Sequence, residues 1–217
     1  MDTVDLFSGT WSFSKVAKAK GHSIFRVDNN TEFDTEVCCD ILDLKTKDLH
    51  RSIDILRASP PCTSFSVASI WVSWCGNYHP KRVKTALGMA YVLKVLEIIE
   101  EVKPKYRFIE NPRGVLRNMW FMYWLPRHTI TYCQYWDDRM KPTDIRTNCK
   151  LRQPRPVCSN NDTCHEAAPR GSKTGTQWLS GNMDRSIIPP KLFTEIFDHI
   201  EEWIVRNSTE QILFSNI

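Results

Sequence analysis

No stretch of roughly 18 consecutive apolar residues occurs in this chain, and its best apolar segment, Met89–Ile99, is interrupted by Lys94 and Glu97. A membrane-spanning helix is therefore not expected. The N-terminus, MDTVDLF, lacks a basic segment followed by an apolar one, so no targeting signal is expected and the chain is read as intracellular. Charge of one sign is not in large excess: 29 Lys and Arg stand against 25 Asp and Glu, too small a difference to name a partner. No internal repeat is visible, and no linker separates two large domains. What is present is ordinary for a folded chain: 217 residues, 41% hydrophobic and 25% charged, enough for one domain with a sizeable core and against wholesale disorder.

Short apolar runs alternate with helical patterns over the first two-thirds, predicting an α/β fold with a largely parallel sheet. Strands are expected at Thr3–Phe7, Ile24–Val27, Ile53–Ala58 and Tyr106–Ile109. Helices are expected at Ser12–Lys20, Lys81–Val102 and, shorter, Asn118–Trp124. Thr129–Tyr135 and Asp144–Asn148 read as two late strands in a hairpin around Lys141 and Pro142. From Cys149 to Asp184 periodicity disappears, and Pro189-Pro190 then opens an amphipathic helix to about Val205. This divides the chain into a core (1–148), an irregular excursion (149–184) and a C-terminal helix that returns to the core (185–217).

Three motifs carry chemistry. In Ala58-Ser59-Pro60-Pro61-Cys62-Thr63, a thiol sits just after a strand on a loop stiffened by two prolines. That is the sheet edge where open α/β folds bind ligands, and a thiol there can serve as a nucleophile. In Phe108-Ile109-Glu110-Asn111-Pro112-Arg113, a carboxyl at the end of the next strand reaches the same edge, placed to give a proton to a ring nitrogen. At the start, Asp5-Leu6-Phe7-Ser8-Gly9-Thr10-Trp11-Ser12 runs a strand through a Gly/Ser turn into a helix, although the full glycine fingerprint of a dinucleotide site is absent. Asp28, ending the next strand, is placed for ribose hydroxyls. A run of Arg139, Lys141, Arg146, Lys150, Arg152 and Arg155 against one acid, Asp144, is read either as a phosphate-following stretch or as a solvated loop.

In this order the motifs resemble the cytosine-C5 DNA methyltransferases, most closely the compact members of large DNA viruses and phages. The resemblance rests on Asp5-Leu6-Phe7-Ser8-Gly9-Thr10-Trp11-Ser12-Phe13-Ser14-Lys15, Ser59-Pro60-Pro61-Cys62-Thr63 and Ile109-Glu110-Asn111-Pro112-Arg113. It extends to Tyr132-Cys133-Gln134-Tyr135, to Lys141-Pro142-Thr143-Asp144-Ile145 and to Ile187-Ile188-Pro189-Pro190. It implies a Rossmann-like S-adenosylmethionine-dependent methyltransferase fold, with the excursion as a small target-recognition element. It further implies Cys62 as nucleophile, Glu110 as acid and Arg139 as the cation holding the base. The cofactor would meet Phe7, Ser8, Gly9, Thr10, Trp11, Asp28, Asp40, Ile41 and Ser59. The substrate would be a cytosine flipped out of duplex DNA.

The sequence departs from that family at several points. Trp11 stands where a glycine is usual, Asp137-Asp138-Arg139-Met140-Lys141 keeps only the central Arg of a Q-x-R-x-R motif, and E-N-P replaces E-N-V. The same chemistry on RNA, or a weakly catalytic module that binds cofactor or DNA, are the alternative readings. Cys149, Cys158, Cys164 and His165 form C-x8-C-x5-C-H, which matches no standard finger spacing, so no metal is assigned and zinc stays an open question. Of Trp71, Trp74 and Tyr78, which follow the cysteine loop, at least two are expected to be packing residues. Oligomeric state is not legible.

Overall fold

The computed structural model describes residues 1–49, 52–151, 154–160, 162–166 and 182–215. Its centre is a seven-stranded sheet: β1 (Asp2–Leu6), β2 (Ser23–Asp28), β3 (Val37–Cys38), β4 (Ile55–Ala58), β5 (Tyr106–Pro112), β6 (Arg127–Thr131) and β7 (Pro142–Thr147). The spatial order is β3-β2-β1-β4-β5-β7-β6. The pairs β3–β2, β2–β1, β1–β4 and β4–β5 are parallel, whereas β7 runs antiparallel to both β5 and β6. Helices are α1 (Ser12–Ala19), the single turn α2 (Ile70–Ser73), α3 (Val83–Val102), the short α4 (Asn182–Ser186) and α5 (Pro190–Ser215).

Strand alternation sorts side chains into two cores. Val4 and Leu6 of β1, Leu56 and Ala58 of β4 and Ile109 of β5 pack with Val92, Val95, Ile98 and Ile99 of α3. The intervening positions, including Ile55 and Phe108, face α1 through Phe13 and Ala17, and α5 through Leu192, Phe193, Ile196, Phe197 and Ile200. The result is a sheet between two helical layers. Asp5 and Arg57 also fall on the α1/α5 face. They are paired across the β1–β4 register with Arg57 Nη1 donating to Asp5 Oδ1 at 2.8 Å, and Ser14 donates its hydroxyl to Asp5 Oδ2 at 2.6 Å.

The element boundaries have local causes. β4 stops where Pro60 and Pro61 offer no N–H to continue a ladder. α1 closes on Gly21 in the left-handed region (φ 77°), with Gly21 N–H donating to the Lys18 carbonyl at 3.0 Å. Pro190 opens α5, where a missing N–H costs nothing. Two expectations are corrected. Asn118–Trp124 is not an α-helix, because 3-10 turns at Val115–Asn118 and Trp120–Met122 cover this segment. β6 ends at Thr131, and Tyr132–Tyr135 is a further 3-10 turn that carries the chain toward β7. Among the described residues, no helix is long and apolar enough to cross a membrane.

Candidate active site

The strand order reverses direction between β1 and β4, and the loops after these two strands flank that crevice. After β4, Cys62 begins a 3-10 turn, Cys62–Ser64, with Phe65 N–H and Ser66 N–H both donating to the Cys62 carbonyl at 2.9 and 3.0 Å. The loop is bolted to the end of β5. Ser59 Oγ donates to Glu110 Oε2 at 2.5 Å, and Asn111 Nδ2 donates to the Pro60 carbonyl at 2.9 Å. Farther along, Val115 N–H donates to the Phe65 carbonyl at 2.8 Å, and a Cβ placed on Gly114 would lie 2.1 Å from that carbonyl oxygen. Only glycine allows this approach, and the approach holds the cysteine loop against β5.

Glu110 is almost fully buried and receives a second hydrogen bond from the Tyr132 hydroxyl, at 3.1 Å to Oε1. Burial pushes the Cys62 thiol up, the Glu110 charge adds to the rise, and Lys141 pulls in the opposite direction. Burial pulls the Lys141 ammonium down, opposed by Glu110 and Cys62. Lys141 Nζ donates to the Arg185 carbonyl at 2.7 Å and lies 4.9 Å from the centre of the Tyr132 ring. Cys62, Glu110 and Lys141 are thus one electrostatic group. The sequence reading did not assign Lys141 to it; the lysine's place two residues after Arg139, just before β7, was the available signal.

The turn after β1 has the shape of a binding cradle. Phe7 (φ 57°), Gly9 (φ 47°) and Trp11 (φ 62°) are all left-handed, which for the two non-glycine residues stores about 1–3 kcal/mol each. Gly9 N–H donates to Asp28 Oδ2 at 2.9 Å and Asn30 N–H to Asp28 Oδ1 at 3.0 Å. Tyr91 donates its hydroxyl to Asp40 Oδ2 at 3.0 Å and meets the Phe7 ring edge-on at 6.1 Å. Among the described residues, the Ser8 hydroxyl and the Trp11 indole N–H are buried without a partner, which leaves both available to a ligand.

The residues 1–120 match the family model of the C-5 cytosine-specific DNA methylases. A frog virus 3 (isolate Goorha) protein named "Probable DNA (cytosine-5)-methyltransferase" is 30% identical over 223 residues, covering 91% of this chain and 99% of its own. The chain belongs to the C-5 cytosine-specific DNA methylase family. Its fold is similar to that of the fission yeast (S. pombe) Dnmt2 methyltransferase (17% identity, 71% of this chain and 51% of that one, TM-score 0.46). It is also similar to a DNMT2 variant of Spodoptera frugiperda (18% identity, 69% and 51%, TM-score 0.47). The chain spans about half the length of these two solved structures.

Of the three residues expected to be catalytic, Cys62 and Glu110 lie at one edge of the sheet, linked through the Ser59 hydroxyl. Arg139 lies over the Tyr132 ring, 5.4 Å from its centre, and is held there by internal partners. Its guanidinium grips the Asp137 carboxylate through Nε (2.7 Å) and Nη2 (2.5 Å), and it donates to the carbonyls of Asp184 (3.1 Å) and Ile187 (2.9 Å). It fastens the returning segment while lying against the tyrosine that bonds Glu110. Of the expected cofactor residues, Phe7, Ser8, Gly9, Trp11, Asp28 and Asp40 form the cradle, and Thr10 lies on it with its hydroxyl 3.2 Å from that of Ser12. Ile41 is buried in the α3-side core, and the Ser59 hydroxyl is spent on Glu110. Trp11 has its ring under the Arg26 guanidinium at 4.5 Å, and Arg26 is itself forked onto Glu36.

The basic run is not a continuous phosphate track. Arg146 is buried in β7 and donates to the carbonyls of Met122 and Leu125 at 2.7 and 3.1 Å. Arg155 is forked onto Glu195, with Nη2 to Oε1 at 2.7 Å, and Arg152 lies outside the described residues. Strand pairing and tertiary ion pairs consume charges that look free in one dimension. Trp74 is packed, its indole N–H donating to the Ser64 carbonyl at 2.7 Å, and Tyr78 is partly exposed and hydrogen-bonded to Asn118, whereas Trp71 is 85% exposed. A cavity of about 250 Å³ between β6, β7 and α5 shares no lining residue with the Cys62 edge. It takes no part in the site.

Proposed function

We propose that this chain methylates C5 of cytosine in DNA through a transient covalent bond from Cys62, with the base turned out of the helix. The observation that carries this reading is the fastening of the Pro-Pro-Cys loop to Glu110 and Asn111 at the sheet crevice, with Lys141 in the same electrostatic group. S-adenosylmethionine, when bound, supplies an electrophilic methyl group. Ser8, Trp11, Asp28 and Asp40, with the rings of Phe7 and Tyr91, have the donor set to hold it: two unpaired buried donors and two carboxylates with lone pairs to spare.

C5 of cytosine is a weak nucleophile. As the Cys62 thiolate bonds to C6, the C5–C6 π pair is displaced toward C5, and protonated Glu110 delivers its proton to N3, which leaves C5 enamine-like. C5 would take the methyl group as its bond to the sulfonium sulfur breaks, leaving the thioether; loss of the C5 proton to a base would then re-form the C5–C6 double bond and expel the Cys62 thiolate, and N3 would return its proton to Glu110. Lys141 and Arg139, which both lie against the Tyr132 ring, are the cations this edge offers to stabilise the thiolate and the base carbonyl. Flipping the base costs a few kcal/mol and is needed because C6 cannot be reached within a stacked duplex. The stretch 149–184 is the segment left to select the target, and its residues 167–181 lie outside the described ones.

The direct test is transfer of tritium from labelled S-adenosylmethionine to duplex DNA, single-stranded DNA and RNA, each assayed separately. Label in DNA cytosine supports the proposal; label in RNA alone, or in none, removes it.

Asp28→Ala is expected to weaken S-adenosylhomocysteine binding by about 1.5–3 kcal/mol, roughly ten- to hundredfold, by removing an acceptor for ribose hydroxyls. Titration calorimetry reads the change, and an unchanged affinity takes Asp28 out of the site.

The pH dependence has a definite sign. A thiol pushed above its ordinary value is mostly protonated at neutral pH, so adduct formation should rise as pH increases. Lys141 opposes that upward shift, so Lys141→Gln should move the rising limb to higher pH, and Lys141→Arg should largely restore it. A limb that stays in place or moves to lower pH separates Lys141 from the thiol.

A further inference from the structure

Outside the active site, the described residues hold one group of thiols and imidazole at ligand spacing: Cys133, Cys158, Cys164 and His165, whose Sγ and Nδ1 atoms all lie within 4.8 Å of one another. Cys133 and Cys158 Sγ are 3.1 Å apart, and Cys164 and Cys133 Sγ 3.6 Å. His165 Nδ1 lies 3.8 Å from Cys158 Sγ and 3.7 Å from Cys164 Sγ. A tetrahedral zinc ion, with Zn–S of about 2.3 Å and Zn–N of about 2.0–2.1 Å, requires ligand atoms about 3.5–3.8 Å apart. Three of these four distances match that edge length, and the fourth is shorter yet far longer than a disulfide bond of about 2.05 Å.

Cys149, which the sequence groups with Cys158, Cys164 and His165, is absent from this cluster. It is buried with the α1/α5-side core, where burial pushes its thiol up to about 11. Cys133 takes its place, 25 residues before Cys158 in the chain.

We propose that Cys133, Cys158, Cys164 and His165 bind one structural zinc ion that clasps the irregular excursion onto the turn after β6. Four protein ligands close the coordination shell, so the ion has no position for water or substrate and acts as a staple. The surroundings suit the role. Gln134 Nε2 donates to Cys164 Sγ at 3.4 Å, an outer-shell hydrogen bond to sulfur. The segment is drawn to the same place by Cys158 N–H donating to Thr131 Oγ1 at 3.1 Å and Glu166 N–H donating to the Asp138 carbonyl at 3.0 Å. Residues 154–160 and 162–166 of the excursion are mostly polar residues and prolines, with little apolar surface to hold them in place.

The clasp bears on the catalytic edge by adjacency. Cys133 follows Tyr132, whose hydroxyl is bonded to Glu110, so the metal would fix the excursion and a Glu110 partner to one turn. The zinc assignment does not depend on the methylation reading, because its test measures bound metal.

The experiment uses the full chain, purified without chelator, and measures zinc by elemental mass spectrometry, with a parallel sample reconstituted with Co²⁺ alone. One zinc per chain is expected. The Co²⁺ form should show the intense red-region bands and near-ultraviolet sulfur charge transfer of a tetrahedral thiolate site. Cys164→Ser and His165→Ala, at the more accessible side, should each lose the metal or shift the Co²⁺ spectrum, whereas Cys149→Ser should keep both. S-adenosylhomocysteine binding by each variant reports that the core is folded, so metal loss can be separated from misfolding. The assignment is overturned by a chain that binds neither Zn²⁺ nor Co²⁺ after reconstitution. It is equally overturned by a weak octahedral Co²⁺ spectrum, by metal that follows Cys149 instead, or by a Cys133–Cys158 disulfide that persists in protein freshly purified under mildly reducing conditions.

Discussion

Cys62→Ser is expected to abolish the covalent complex with DNA containing 5-fluorocytosine and to reduce methyl transfer by at least about a thousandfold. Fluorine at C5 cannot leave as the proton does, so after attack at C6 and methyl transfer the elimination that frees the enzyme stalls. The adduct should require both S-adenosylmethionine and the thiol. A serine hydroxyl on the same loop keeps the shape but is far less ionised at neutral pH and adds poorly to C6. The loop is otherwise independent of the sulfur: its position is set by Ser59 on Glu110, Asn111 on the Pro60 carbonyl and the Gly114 approach to Phe65. S-adenosylhomocysteine affinity should therefore survive. Cys75, exposed and 13 residues later, is the control whose replacement leaves trapping intact. Denaturing electrophoresis and peptide mapping decide the matter. An adduct that persists in Cys62→Ser, or that maps to another cysteine, moves the active site off this loop.

The largest stability effect is expected at Arg57. Arg57 is 3% exposed and its guanidinium donates to the fully buried Asp5, and Nη1 also lies 3.5 Å from the Phe7 carbonyl. The rings of Phe13 and Phe193 flank it at about 6 Å. Arg57→Met would leave the buried Asp5 carboxylate with the Ser14 hydroxyl as its side-chain hydrogen-bond partner among the described residues. Removing one partner of such a pair costs about 3–5 kcal/mol, a large share of the roughly 5–15 kcal/mol that holds a domain folded. The double variant Asp5→Leu/Arg57→Met removes both charges and should recover most of the loss, because a buried pair is often no more stabilising than apolar residues of similar volume. Urea denaturation at matched m-values measures both. A loss below about 1 kcal/mol for the single variant, or no recovery in the double, contradicts the assignment of this pair as a buried, mutually dependent one.

Much of the architecture was legible because it is written in local periodicity. The strands that became β1, β2, β4 and β5 and the helices that became α1, α3 and α5 each announce themselves through apolar spacing and a terminating Gly or Pro. Residues 118–124 were misread because Met119, Phe121 and Met122 are apolar at helix-like spacing, yet the chain there turns tightly to bury them under the sheet. The site was legible in part. Cys62 and Glu110 are strand-end residues, and neighbouring parallel strands deliver their C-terminal ends to one edge. Lys141 was not legible as a member of the group, since its closeness to Cys62 depends on the antiparallel insertion of β7 beside β5.

The sequence by itself therefore determined the α/β class, the order of the three motifs and, through that order, the family. Each of these depends on residues adjacent in the chain or repeated at a fixed period. The tertiary structure alone decided how side chains from distant segments were shared out. It tied Arg139 to Asp137 and the returning segment, committed Arg146 and Arg155 to internal partners, and left Trp71 exposed. It also brought Cys133 rather than Cys149 to Cys158, Cys164 and His165. Such pairings join positions tens of residues apart, and only the packing of strands and loops sets those distances.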